Sequence, residues 1–350
     1  MLPYFLLIAA SLAGGLPPLQ KRNYQKTHLL LMGAFCWLLA SLRYVAGFDY
    51  RMYESIFQTV AAEGLSGLSQ IEPGYLLLNL LVSRLGGDYR AFLFAFHLLF
   101  ILLVFAWIGR YSSSPWMSVY LFLTLQYFAL GMNFLRQALA AAILLWAYPF
   151  LKCRRFLPCW GIVLLASCFH WSALIMLPLS LLLCLRPSKP HYALAASAAG
   201  IAYLLDSLLC AVIAHVPKYQ HYLNGMYWQG NSFLYLLFPI GCFLFALPLI
   251  KREMAEPTAS PVLANSVFYS LLIQLFITRH FILERLSIYA AFFSLLALTE
   301  AALLPGGRLT TRTRKLILLA GGFAYFLFSA SQGFHGVYPY RGIWDRVILP

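Results

Sequence analysis

The sequence predicts an all-α protein, a polytopic helical bundle built to sit in a membrane. Three observations carry that reading. Of 350 residues, 62% are hydrophobic and only 10% are charged, whereas a soluble domain needs about 25% charged residues to cover its surface. The apolar residues come in runs of roughly 15 to 25, the length that crosses a hydrocarbon core as a helix. The basic residues gather in short loops between those runs, as the positive-inside rule requires. Ten-residue segments of alternating polarity, the mark of an outer-membrane barrel, are absent.

The loops fix the topology. Lys21/Arg22/Lys26, Arg110, Lys152/Arg154/Arg155, Arg186/Lys189, Lys251/Arg252 and Arg308/Arg312/Arg314/Lys315 hold 15 of the 25 Lys and Arg residues. All six are expected on the cytoplasmic side. That assignment imposes a parity condition on the residues around 72–86. If they crossed the membrane, Lys152, Arg154 and Arg155 would lie outside. The apolar run Gly74–Leu85 would make only about 18 Å of helix, too short for a core of roughly 30 Å. It is therefore expected to be an amphipathic or re-entrant helix on the outer surface, within an outer loop of residues 47–90.

About twelve spans follow, near 2–18, 27–46, 91–109, 115–131, 133–151, 156–169, 171–185, 192–214, 231–250, 263–280, 285–304 and 315–332. Both termini then lie outside. No internal repeat or low-complexity linker divides the chain, so residues 1–350 are expected to form a single integral membrane domain. The first apolar stretch lacks a basic flank and reads as a helix rather than a cleaved signal.

The net charge of +14 is explained by the cytoplasmic loops, and no basic stripe suggests a nucleic-acid partner. The seven cysteines form no CxxC pair and suit apolar packing. No Gly-rich phosphate loop, Walker lysine or metal-ligand spacing is present. The expected cofactor set and metal set are therefore none.

Ionisable residues in membrane helices are costly and mark functional sites. In the predicted topology they collect on the outer side. Arg43 and Asp49 flank one helix end, Glu72 starts the short outer helix, and Arg136 opens the fifth span. Asn133 and Gln137 share its polar patch. His170 sits at a hairpin turn, and Arg279, His280, Glu284 and Arg285 crowd a later junction. For Arg43 and Arg136 the alternative is a side chain snorkelling to the headgroups. For Arg279, Glu284 and Arg285 it is a structural ion-pair knot, and for Asp206 it is a bond to a neighbour. Several arginines with few acids suit a phosphate or diphosphate, which guanidinium binds bidentately. Asp49 or Glu72 would supply a base for a hydroxyl acceptor.

The blocks Arg43-Tyr-Val-Ala-Gly-Phe-Asp49-Tyr-Arg-Met-Tyr53, Glu72-Pro-Gly-Tyr75 and Gly131-Met-Asn-Phe-Leu-Arg136-Gln137 together resemble the EpsG-like family of bacterial exopolysaccharide membrane proteins. Phe169-His170-Trp-Ser172, Glu284-Arg285-Leu-Ser-Ile-Tyr289 and Tyr338-Pro339-Tyr340 continue the likeness in order. That family is similar to Wzy-type polymerases, and the outer loop resembles that of GT-C glycosyltransferases. The resemblance implies a GT-C-like bundle in the bacterial cytoplasmic membrane that joins undecaprenyl-diphosphate-linked oligosaccharide repeat units. Donor and acceptor would both be such lipid-linked units, with flippase and chain-length regulator proteins as candidate companions. It implies catalytic roles for Asp49, Glu72 and His170. It also implies substrate contacts from Arg43, Tyr53, Arg136, Gln137, Arg279, Glu284, Arg285, Tyr289 and Tyr340. The competing reading is a transporter or flippase of the same lipids, or another lipid-dependent glycosyl- or acyltransferase.

Overall fold

The computed structural model describes residues 1–65, 70–215, 230, 232–256, 259–306 and 309–347. Arg308, one of the expected cytoplasmic cations, lies outside the described residues. Regular structure among the described residues is helical, apart from one isolated antiparallel bridge between Arg43 and Gly342.

In chain order the helices are α1 (Leu2–Ala13), α2 (Arg22–Ser41), α3 (Tyr50–Glu63), α4 (Pro73–Arg84), α5 (Tyr89–Tyr111), α6 (Pro115–Thr124), α7 (Tyr127–Asn133), α8 (Leu135–Leu145) and α9 (Tyr148–Lys152). They continue with α10 (Phe156–Ser167), α11 (Met176–Leu183), α12 (Lys189–Leu204), α13 (Asp206–Ala214), α14 (Leu237–Ala255), α15 (Val262–Leu275), α16 (Glu284–Ala291), α17 (Ser294–Leu303) and α18 (Thr311–Ser331). Two compact units emerge. The first comprises residues 1–147, 160–174 and 312–350, and the second comprises 148–159 and 175–311.

Among the described residues, α5 and the stretch Phe233–Ala255 are long and apolar enough to cross a membrane by length and composition. Two bent pairs join them if each counts as one span. These are α12 with α13, bent by 71°, and α16 with α17, bent by 51°. Five further apolar helices are shorter. The protein is thus a helical membrane protein whose helices are often broken.

The breaks have local causes. The expected span 115–131 divides into α6 and α7 because Gln126 adopts a left-handed backbone, φ 69°. The expected span 133–151 begins after a second break at Phe134, φ −96° and ψ 62°. Neither residue is a glycine or proline, so the apolar run hides both breaks. The expected short helix of the outer loop is present as α4, twelve residues opened by Pro73. Proline suits that first position because its nitrogen has no intrahelical acceptor to serve.

The first unit is organised around α5, whose Phe92, Phe96, Phe100 and Trp107 are fully buried. α2, α4 and α8 pack against it. An aromatic chain then leads outward from α5. Phe92 meets Tyr75 with ring centroids 5.6 Å apart, Tyr75 meets Tyr53 at 5.7 Å, and Tyr89 meets Tyr50 at 5.4 Å. The first and last are edge-on and the second is tilted; aromatic pairs at such separations add about 0.5–1.5 kcal/mol each beyond area burial. They hold α3 and α4 over the start of α5.

The C-terminal segment closes this unit by hydrogen bonds to the loop after α2. The amides of Tyr44 and Gly47 donate to the carbonyls of Arg341 (2.9 Å) and Gly336 (2.8 Å), and that of Ile343 to Leu42 (3.0 Å). Gly47 has φ +103°, and a Cβ there would lie 3.1 Å from the Met132 carbonyl oxygen. The position needs glycine for both its backbone angle and its close approach.

Candidate functional site

The site in the first unit is built on Glu72, which occupies the N-cap position of α4 with extended backbone, φ −63° and ψ 138°. Two residues on, the Gly74 amide donates to the Cys168 carbonyl at 2.7 Å. A Cβ on Gly74 would sit 2.8 Å from that oxygen, closer than side chains tolerate. Glycine therefore lets the first turn of α4 dock on the turn that follows α10. The docking brings Glu72 against His170 and Trp171.

The Glu72 side chain is 1% exposed and is engaged on both oxygens. Oε2 accepts from Nη1 of Arg136 at 2.5 Å. Oε1 accepts from the Trp171 amide at 3.2 Å and lies 3.2 Å from Nδ1 of His170. Burial works against the charged carboxylate, but the His170 hydrogen bond and the Arg136 charge outweigh it and hold the pKa down to about 2. Glu72 is therefore ionised throughout the physiological range and poor at accepting a proton. With the imidazole N–H at Nδ1, facing the carboxylate, the lone pair lies on Nε2.

Arg136 reaches Glu72 because α8 restarts at Leu135 after the Phe134 break. Asn133, at the end of α7, accepts the Asp49 amide on its Oδ1 at 3.0 Å. One short motif thus fixes the start of α3 through Asn133 and the start of α4 through Arg136. Tyr53 neighbours the Arg136 guanidinium, and Gln137 is buried beside it in sequence.

Arg43 forms a separate nest. It is fully buried, with Nε donating to the Ala46 carbonyl (3.1 Å) and Nη1 to that of Ala40 (3.0 Å). Nη1 also donates to Nε2 of His97 at 2.6 Å, while Nδ1 of His97 lies 2.7 Å from the Leu93 carbonyl. This network assigns His97 as neutral, with its proton on Nδ1. The Tyr50 ring lies beneath the guanidinium, 5.7 Å from centroid to Cζ. His97 was not singled out by sequence, although it is an ionisable residue in the middle of an apolar helix. Tyr340 donates its hydroxyl to the Leu39 carbonyl at 2.9 Å, and Tyr338 donates to Oε1 of Gln126 at 2.7 Å. The terminal Tyr-Pro-Tyr motif acts here as a fastening.

A hollow of about 560 Å³ opens at the start of α5, walled by Tyr44, Tyr50, Tyr89, Glu54, Gln58 and Arg90 among others. Its walls include neither Glu72 nor Arg136.

Arg279, Glu284, Arg285 and Tyr289 belong to the second unit. There the Arg279 guanidinium stacks over the Tyr203 ring at 4.6 Å, and the Tyr203 hydroxyl lies 3.0 Å from Oγ1 of Thr278. Glu284 is the first residue of α16, and Tyr289 is 1% exposed within it.

Fold and site together define a helical membrane protein carrying a buried carboxylate that organises an arginine and a histidine. The chain belongs to the EpsG family, whose profile matches residues 26–341, and so to the membrane proteins of polysaccharide biosynthesis. No curated protein and no solved structure matches it significantly.

Proposed function

We propose that this EpsG-family chain is a membrane glycosyltransferase that lengthens surface polysaccharide by joining lipid-diphosphate-linked repeat units. The observation that carries this reading is the single carboxylate of Glu72 shared by Arg136 and His170. A reaction on lipid-diphosphate sugars needs a fixed cation for the leaving diphosphate and a base for the attacking hydroxyl. Arg136 and His170 supply those two groups, and Glu72 orients both. Because Glu72 ionises near pH 2, its part is orientation rather than proton transfer.

In the reaction, a terminal sugar hydroxyl of the acceptor attacks C1 of the donor sugar. The new C1–O bond forms as the bond from C1 to the diphosphate oxygen breaks. The hydroxyl proton passes to Nε2 of His170, and undecaprenyl diphosphate leaves with the bonding electrons. Its added negative charge is met by the Arg136 fork, whose five N–H donors exceed those engaged by Glu72 and Tyr53. General-base assistance of this kind is worth roughly 10²–10⁴ in rate, and one preorganised charge contact about 10²–10³.

The test is a gel of lipid-linked products from cells bearing the wild type, Arg136→Lys or His170→Gln. The proposal expects long chains from the wild type and accumulation of single repeat units in both variants. Normal chain lengths in both variants, with equal protein in the membrane, would overturn it. Accumulation of repeat units on the cytoplasmic face alone would favour a flippase.

A further inference from the structure

We propose that Asp206, Cys210 and His280 in the second unit form a three-ligand site for a borderline divalent transition ion, zinc foremost. One ligand atom from each residue lies within 4.8 Å of the others. Nε2 of His280 is 2.6 Å from Oδ1 of Asp206 and 3.9 Å from Sγ of Cys210. Asp206 opens α13 and Cys210 follows one turn later, so both project from one face of that helix. His280 is 5% exposed and comes from the turn after α15, 70 residues further along the chain.

The geometry fits a tetrahedral ion after small movements. With zinc bonds of about 2.0–2.2 Å to nitrogen and oxygen and about 2.3 Å to sulfur, the expected separations are about 3.4 Å for O···N and 3.6 Å for S···N. The Asp206–His280 pair must open by about 0.8 Å, and the Cys210–His280 pair must close by about 0.3 Å. The Asp206–Cys210 pair lies within 4.8 Å and must close toward about 3.6 Å; all three changes are within reach of side-chain rotations. The donor set chooses the ion. A thiolate with an imidazole disfavours magnesium and calcium, which prefer all-oxygen shells. Binding releases the Cys210 thiol proton, and the Nε2 proton that His280 donates to Asp206 must shift to Nδ1, through solvent, to leave the Nε2 lone pair for the metal. Three protein ligands leave a fourth position for water or an anionic oxygen. The ion would clip α13, beyond the 71° bend from α12, to the turn that precedes α16. The spacing Asp206-x₃-Cys210 with a distant histidine matches no common metal motif, so the sequence does not announce it.

The test uses the full-length chain purified in detergent, loaded with zinc or cobalt chloride, washed, and measured for bound metal. The wild type should retain roughly one equivalent, and its cobalt form should show a thiolate-to-cobalt charge-transfer band. Cys210→Ser and His280→Gln should fall to background, whereas Cys242→Ser should retain metal like the wild type. Zinc should also raise the thermal midpoint of the wild type but not that of either variant, because only a folded-state ligand stabilises in this way. Asp206→Asn, close in shape to the natural residue, provides a third variant if Cys210→Ser fails to fold. It should bind zinc at least tenfold more weakly. Absence of bound metal in the wild type, or equal metal in the wild type and the ligand variants, would overturn the proposal.

Discussion

Replacing Glu72 with glutamine removes the charge that Arg136 and His170 share while keeping the size of the side chain. The carboxyl ionises near pH 2 in the folded protein instead of near its ordinary 4.5. At about 1.4 kcal/mol per decade, that difference is worth about 3 kcal/mol of folding free energy. The side chain is 1% exposed, so solvent screening removes little of it. A depressed carboxylate contributes stability that is fully present above its unfolded pKa and is lost as pH falls through the folded one. The wild type should therefore lose this contribution between about pH 4.5 and pH 2. Glu72→Gln should lack it at every pH, and its partly buried guanidinium partner, 19% exposed, loses its counter-charge, which adds to the loss. The assay is the thermal midpoint in detergent across pH 7 to 3. The expected result is a midpoint several degrees lower for Glu72→Gln at pH 7, with the two curves converging as pH falls. Superimposable curves would refute the role given to this carboxylate.

Other substitutions test the surrounding supports. Gly74→Ala places a Cβ 2.8 Å from the Cys168 carbonyl oxygen, and should cost about 1–3 kcal/mol by overpacking; an unchanged midpoint would contradict the docking. Arg136→Lys keeps a cation for Glu72 but loses the planar fork. It should retain most of the stability of the wild type while chain extension falls by roughly 10²–10³. Tyr340→Phe removes the hydrogen bond to the Leu39 carbonyl and should cost about 1 kcal/mol with polymer length unchanged; shortened polymer would instead place this tyrosine at the substrate. His97→Leu leaves Arg43 without its one side-chain hydrogen-bond partner among the described residues. Its cost should reach about 1–3 kcal/mol, the desolvation penalty of an unmet buried donor, measurable as a fall in folded yield.

Hydrophobic runs and loop charges made the helical membrane class legible, because both follow from solvation alone. The short helix after Glu72 was also legible, since proline and a run too short to cross leave little choice. The breaks at Gln126 and Phe134 were not, because neither residue carries the backbone signature of glycine or proline; tertiary packing imposes them. Sequence brought Glu72, Arg136 and His170 into one list of candidates, yet it offered each carboxylate as a base. Only the geometry shows that Glu72 is committed to two partners and held ionised; under the proposed function the base is then His170, one of the three candidates the resemblance implies, rather than Glu72. Arg43 read as a residue facing either substrate or headgroups. Its burial against His97 was hidden because α5 looks uniformly apolar, and a single histidine among phenylalanines and leucines names no partner. The fastening of Tyr338 and Tyr340 depends on contacts more than 200 residues away in sequence, beyond any local pattern.

The central claim is that Arg136 and His170, held by Glu72, transfer a glycan between lipid diphosphates. Its most direct test is chain extension by the purified protein in vesicles supplied with undecaprenyl-diphosphate-linked repeat units as the only sugar source. The account predicts a ladder of longer products and release of undecaprenyl diphosphate with the wild type, and neither with His170→Gln. A ladder of equal length and rate from His170→Gln would contradict it.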